Sequence, residues 1–204
     1  MLEGLESINW SELQHAGGAA GDVRALIRAL LSRSENVRDE AIDSLFETIW
    51  HQGTVYEASS AAVPFLQELL RSTDTPDRVR IAGLLAEMAE GRPTLEAAAS
   101  SPAMEPLMRK VLAGEGRDFD QELEAGRGFA RATREAVGRE LALLYPYLNC
   151  EAVEVRRSVA TALGNYPASA DETLPLLRQA VVSEAEQDVK EAMQQAIVSL
   201  EAGV

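Results

Sequence analysis

The 204-residue sequence predicts an all-α fold, a solenoid of about five stacked helix pairs, and three observations carry that prediction. An amphipathic segment recurs: "VRALIRALL" from Val23, "VPFLQELL" from Val63, "EPLMRKVL" from Glu105 and "LPLLRQAV" from Leu174 superimpose, with Pro64, Pro106 and Pro175 in one column and Arg24 in place of the first proline. A second signature follows about fifteen residues later in "ENVRDEAIDSL", "DRVRIAGLLAEM", "VEVRRSVATAL" and "QDVKEAMQQAIVSL", aligned on Val37, Val79, Val155 and Val189. Finally, Arg24, Pro64 and Pro106 stand 40 and 42 residues apart, the period of helix-pair arrays in which no single pair can bury its own apolar stripe.

The elements follow in order within a single repeat domain, 1–204. Residues 1–21 precede the first recurring segment and form an N-terminal cap. The first pair runs from Val23 and through Val37, where Val37, Ala41, Ile42, Leu45 and Ile49 fall on one helical face. Gly53 is placed to close that second helix in the left-handed conformation, and Ser59 or Ser60 to cap the next before Pro64. The second pair contains Pro64 and Val79, and the third opens at Glu105. Its second helix lacks the signature: residues 114–130 hold Gly114, Gly116, Gly126 and Gly128, each costing a helix about 1 kcal/mol relative to Ala, so an irregular insertion is expected there. Counting back from Arg156 places a fourth first helix near Leu141, and Pro175 and Val189 mark the last pair. The basic residue after each column valine (Arg38, Arg80, Arg156, Lys190) is expected to pair with acids of the inter-helix turns and to hold the stack in register.

Composition narrows the function. The formal net charge of −14 repels nucleic acid and anionic membrane surfaces, whose affinity comes from Lys and Arg neutralising phosphates, and leaves a basic protein as the expected partner of a monomeric chain. No apolar run approaches the roughly 20 residues of a membrane helix, the start "MLEGLESINW" carries acids where a secretion signal is basic, and one cysteine, Cys150, forms no internal disulfide. The cytoplasm is the expected compartment. Neither H-x-x-x-H nor C-x-x-C spacing occurs, nor a G-x-S-x-G elbow or a Gly-rich phosphate loop, so no catalytic residue, metal ligand or cofactor is assigned.

Two groups of residues stand out as candidates for binding a partner. One is "WHQGTVYEASSAAVPF", from Trp50 to Phe65, where His51, Gln52, Thr54, Tyr56 and Glu57 crowd an inter-repeat corner. Two roles are open to them: satisfying the free amides and carbonyls of two helix ends, or forming a polar rim that touches a partner. The other is the face that second helices turn inward in such arrays. There Asp39, Asp43 and Glu47 form an acidic row at i, i+4 and i+8, and the repeat register places Ile81 and Leu85 level with Asp39 and Asp43, either under the irregular region or exposed as an apolar anchor.

The units resemble HEAT repeats, and "WSELQHAGGAAGDV" followed by "HQGTVYEASSAAVPFL" is similar to a group of bacterial HEAT-repeat proteins over most of the chain, with Gly17 where an aromatic is common and Arg24 where proline is. The resemblance implies a right-handed α-α superhelix that binds other proteins, and a place for some such proteins in toxin and immunity loci. It transfers no catalytic residue. An immunity-type inhibitor or adaptor acting on a basic partner is therefore the expected function, with a HEAT-fold cofactor-handling protein of the bilin-lyase kind as the alternative.

Overall fold

A computed structural model describes residues 2–101 and 103–203, and they are helical apart from two short hairpins. Two 3-10 turns, Leu5–Ser7 and Trp10–Glu12, lead into a first hairpin, β1 (Gln14–His15) and β2 (Gly18–Ala19). Helices α1 (Val23–Ala29) and α2 (Glu35–Thr48) follow, then a second hairpin, β3 (Trp50–His51) and β4 (Thr54–Val55), and then α3 (Glu57–Arg71) and α4 (Arg78–Glu90). After α4 come a short α5 (Thr94–Ala98), α6 (Met104–Gly114) and α7 (Phe119–Gly138). A 3-10 helix at Leu141–Asn149 precedes α8 (Val153–Leu163), and a 3-10 turn at Pro167–Ser169 leads into α9 (Ala170–Ser183) and α10 (Gln187–Ala202).

The helix stripe read from the sequence buries on α2 at Ala41, Ile42, Leu45 and the following Ile49, but Val37, expected on the same face, lies in the first turn of the helix and is 42 % exposed. Helix α4 is different, because it is enclosed on nearly every side: α2, α3, α7 and α8 all pack on it. Ile81, Ala82, Gly83, Leu84, Leu85, Ala86, Met88 and Ala89 are all buried. Ile81 and Leu85, expected to serve as an exposed anchor or to lie under an irregular region, are each 1 % exposed and belong to this core. The reason is topological: α7 and α8 both pack directly on α4, so the face that the repeat register assigned to a partner is filled by later helices of the same chain.

That stacking corrects the expected pair count. α10 packs on α8 and α8 on α4, while α6, expected to open a third pair, makes its main contacts with α5 and α7. Its "EPLMRKVL" carries the repeat signature, yet Leu107 and Val111 are 48 % and 46 % exposed where their counterparts Phe65 and Leu69 in α3 are buried. Four pairs stack, and α5, α6 and α7 form an insertion between the second and third. The segment near Leu141 does occupy a first-helix place against α8 and α9, but as a 3-10 helix. Pro146 inside it removes an amide, which an α-helix needs for its ladder.

The Gly-rich stretch is likewise not an irregular insertion from 114 to 130. Gly116, with φ of 73°, turns the chain, Asp118 Oδ1 accepts the Gln121 amide at 2.9 Å as an N-cap, and α7 then runs unbroken for 20 residues through Gly126 and Gly128. Packing outweighs propensity here. A Cβ on Gly126 would stand 3.1 Å from Pro93 Cβ, so glycine lets α7 close on the segment after α4. At its other end Gln67, buried in α3, donates from Nε2 to the carbonyls of Ala136 and Val137 at 3.1 Å each, and Arg71 grips Glu140 with two hydrogen bonds of 2.6 Å. The Gln67 amide thus caps two carbonyls of the last turn of α7, and the Arg71 pair fixes Glu140 just past its end.

The arginine ladder has a repeated geometry. Arg38 donates from Nη1 to the carbonyls of Ser32 and Arg33 and pairs with Asp77, at the entry to α4. Arg156, in the third stacked pair, donates from Nη1 to the carbonyls of Cys150 and Glu151, six and five residues back as for Arg38, and holds Glu184, at the entry to α10, at 2.7 and 2.9 Å. Each arginine thus ties its own turn to the turn of the next pair, as the sequence predicted. Arg80 departs from this pattern and reaches back to Asp39 at 2.8 Å and to Asp43, on the second helix of the preceding pair. No ion pair of Lys190 occurs among the described residues.

Glu184 is the tightest member of the ladder, its side chain 5 % exposed. The Arg156 hydrogen bonds first, and the turn amides of Glu186 and Ala185 at 2.9 Å after them, pull its carboxyl down to about 2 from the usual value. A folded value below the unfolded one stabilises the fold fully above about pH 5, and the gain is lost as pH falls towards 2. Glu184→Gln is expected to cost ~2 kcal/mol at pH 7, the scale of a charge-assisted hydrogen bond, and chemical denaturation at a series of pH values should show the two proteins converging near pH 2. A difference that persists unchanged at pH 2 would place the cost elsewhere.

Candidate functional site

The corner from Trp50 to Glu57 is a β-hairpin. Trp50 faces Val55 and His51 faces Thr54, and the two residues between them, Gln52 and Gly53, have φ of 49° and 83°. Two left-handed residues in a two-residue loop match the twist of paired strands, so Gly53 takes the conformation expected of it but in a hairpin turn and not as a helix cap. The local signal was present: Trp-His and Thr-Val are strand formers flanking Gln-Gly.

Hydrogen bonds then lock the corner to the helices on either side. Ser59 Oγ donates to the Ile49 carbonyl at 2.5 Å, joining the end of α2 to the start of α3, and accepts the Tyr56 amide at 2.8 Å. Thr54 Oγ1 donates to the His51 carbonyl at 2.7 Å, which leaves the Tyr56 hydroxyl to donate to Thr54 Oγ1 at 2.9 Å. Glu57 accepts the Gln14 amide at 3.2 Å from the first hairpin. That first hairpin has the same register, with His15 in the place of His51, but there the imidazole is buried: Nε2 donates to Asp22 at 2.9 Å and Nδ1 accepts the Gly17 amide at 3.0 Å. His51 instead stays at the surface, with Nδ1 3.1 Å from Glu47.

The far edge of β4 pairs with the chain leaving α4. The Val55 amide donates to the Arg92 carbonyl at 3.1 Å and the Arg92 amide to the Gly53 carbonyl at 3.0 Å. Gly91 makes this possible, since a Cβ there would fall 2.2 Å from Val55 Cγ1.

Two adjoining concavities open beside the hairpin. A cleft of about 450 Å³ is lined by Val55, Leu95, Leu112, Ala125, Gly126 and Phe129 among others, with Tyr56 and Glu57 at its wall and Arg117 and Glu122, paired at 2.9 Å, opposite. A shallower one of about 380 Å³ holds His51, Gln52, Thr54, Tyr56 and Arg92. Tyr56 and Thr94 belong to both. So the structure brings His51, Gln52, Tyr56 and Glu57 together on one rim, and its opposing wall, from α5, α6 and α7, lies too far along the chain for any sequence motif to announce it.

The acidic row leads to the same rim along α2. Asp39, Asp43 and Glu47 have side chains 48 %, 68 % and 72 % exposed. Their charge is partly answered within the fold, Asp39 and Asp43 by Arg80 and Glu47 by His51 when the imidazole is protonated. No group of three or more His, Cys, Asp or Glu side chains placed to hold a metal ion occurs among the described residues.

The close approach at Gly91 gives a direct test of the corner. Gly91→Ala is expected to destabilise by about 1–3 kcal/mol through overpacking, and Val55→Ala in the same chain to recover most of that loss, because the two side chains would compete for one space. Strict additivity of the two substitutions in a denaturation cycle would show that the hairpin is not clamped there.

Comparison of the chain with protein-family models gives no match, and comparison with curated proteins gives none either.

Proposed function

We propose that the chain is a HEAT-like solenoid that works by binding another protein, as an inhibitor or adaptor, and that the partner lays a basic segment carrying an apolar side chain across the second hairpin. The supporting observation is the continuity of the rim: His51, Gln52 and Tyr56 line one concavity, Tyr56 and Glu57 line the next, and the deeper of the two has mostly apolar walls. An apolar anchor with a polar and acidic surround is the ordinary anatomy of a protein interface. The acidic row on α2 steers the basic segment towards the rim, and the cleft takes its anchor. Ile81 and Leu85, being core, take no part. The cleft volume also lies in the ~300–1,000 Å³ range of small-molecule sites, which favours ligand handling as the second reading; absorbance and intact mass of the purified protein separate the two.

Photo-crosslinking from position 52 in the native host identifies the partner and the segment that touches the rim. A crosslinked peptide rich in Lys or Arg with a neighbouring large apolar residue is expected, and an acidic peptide there would sink the reading. With the partner in hand, Glu47→Lys should slow association several-fold and flatten its salt dependence, whereas Ala125→Trp, filling the cleft from an exposed position of α7, should mainly speed dissociation. Both should melt within a few degrees of the parent. Unchanged kinetics for folded Ala125→Trp would remove the cleft from the interface.

A further inference from the structure

The acidic chain carries one concentrated basic surface. Arg127, Arg131 and Arg134 recur at i, i+4 and i+7 along one face of α7, Arg139 follows just past its end, and Arg92 approaches from the segment after α4. They line two adjoining cavities of about 370 and 580 Å³ that share Arg131 and Arg134. Five of the 19 Lys and Arg side chains therefore converge on one groove in a chain of net charge −14, with only Glu96 and Glu135 as acids in its lining.

These guanidinium groups are weakly engaged. Arg127 lies 3.4 Å from Glu96 and Arg131 4.0 Å from Glu124, both pairs well exposed, and no ion pair of Arg92 or Arg139 occurs among the described residues. Arg134 is fixed at its base, where Nε donates to the Ala89 carbonyl at 3.0 Å. The floor below is rigid: the Tyr166 hydroxyl donates to the Arg134 carbonyl at 2.9 Å, and the ring sits so close to Gly138 that a Cβ there would be 2.7 Å away. Beside it Glu90, half-buried at the end of α4, has its carboxyl pushed up to about 7, first by burial and then by the neighbouring Glu87, so its charge offsets Arg134 only in part.

We propose that this groove binds a short acidic peptide segment, whose carboxylates pair with Arg131, Arg134 and Arg139. From Arg127 to Arg139 the helical rise spans roughly 18 Å, the reach of about five or six extended residues. Ala130 and Ala168 line the groove among the arginines with short side chains. Guanidinium forks match carboxylates in a bidentate way. Nucleic acid fits less well, because the one aromatic ring in the lining is packed against Gly138 and offers no stacking platform, and a polyphosphate would extend beyond the groove over an acidic surface.

The test is fluorescence anisotropy on the full chain with three labelled probes: a six-residue peptide alternating Glu and Gly, its Gln counterpart, and a six-nucleotide single strand. The Glu peptide should bind and lose about tenfold in affinity between 50 and 300 mM salt, and the other two should bind at least tenfold more weakly. Arg131→Ser with Arg139→Ser, both exposed, should cut Glu-peptide affinity by tenfold or more with an unchanged melting curve. Glu47→Lys, on the hairpin rim, should leave it unaltered, which keeps this groove distinct from the partner site on the second hairpin. Equal binding of the Glu and Gln peptides, equal or tighter binding of the oligonucleotide, or full affinity in the folded double variant would overturn the proposal.

Discussion

Enclosure of α4 is the constraint from which the remaining architecture follows. A helix surrounded by four others needs neighbours at close range on several faces, and α4 meets that need with small residues: Ala82, Gly83, Ala86 and Ala89 are all buried. At Gly83 a Cβ would stand 3.1 Å from Val155 on α8, and just past the helix Gly91 admits Val55 of the hairpin. Once α8 is seated on α4, the residues between them in sequence have no place in the stack. They leave it as α5, α6 and the first half of α7, and return through the second half of α7 against α3 and α4. The outward excursion builds the opposing wall of the hairpin cleft, and the returning half of α7 carries Arg131 and Arg134 of the arginine groove, so both concavities result from how tightly the central helix is packed.

Much of this was legible because amphipathicity is written locally. The stripe of α2 and the position of each second helix follow from a 3.6-residue period, which any segment displays whether or not its neighbours are known. What periodicity leaves open is which neighbour covers a stripe. Glu105 to Leu112 shares the proline and four of the apolar positions of the α3 signature, yet in α6 only Leu112 is buried. The same limit applies to Ile81 and Leu85, whose cover the sequence left open and which are core residues and not an exposed anchor. Glycine content misled for a related reason: its cost of about 1 kcal/mol per helical residue is real in isolation, but Gly126 in α7 gains the contact with Pro93 that a larger residue would block.

The corner was legible in part. Crowded polar residues between two helices pointed to a junction, and Ser59 does join the two helix ends there, though through its side chain and the Ile49 carbonyl. Reading Gly53 as a helix terminator missed the hairpin, because a left-handed glycine serves both motifs and only the Trp-His and Thr-Val flanks tell them apart. The polar residues of the corner differ in how far the fold occupies them. Thr54 and Ser59 are buried and spend their hydroxyls inside the fold, while His51, Gln52, Tyr56 and Glu57 hold partly structural contacts and still line the concavities. One short segment both holds the corner and lines the concavities, divided residue by residue.

Net charge proved the least transferable of the sequence quantities. An excess of carboxylates suggests a uniformly acidic surface, but many are consumed within the fold: Asp77 by Arg38, Asp39 and Asp43 by Arg80, Glu140 by Arg71 and Glu184 by Arg156. Four arginines are engaged in this way, whereas Arg92, Arg127, Arg131, Arg134 and Arg139 gather on α7 and the segments beside it, so the surface charge is unevenly distributed. At physiological salt, charges more than about 8 Å apart are largely screened. A charged group near Glu47 on α2 and one near Arg131 on α7 therefore meet local fields of opposite sign, a difference that the sum over the chain does not describe.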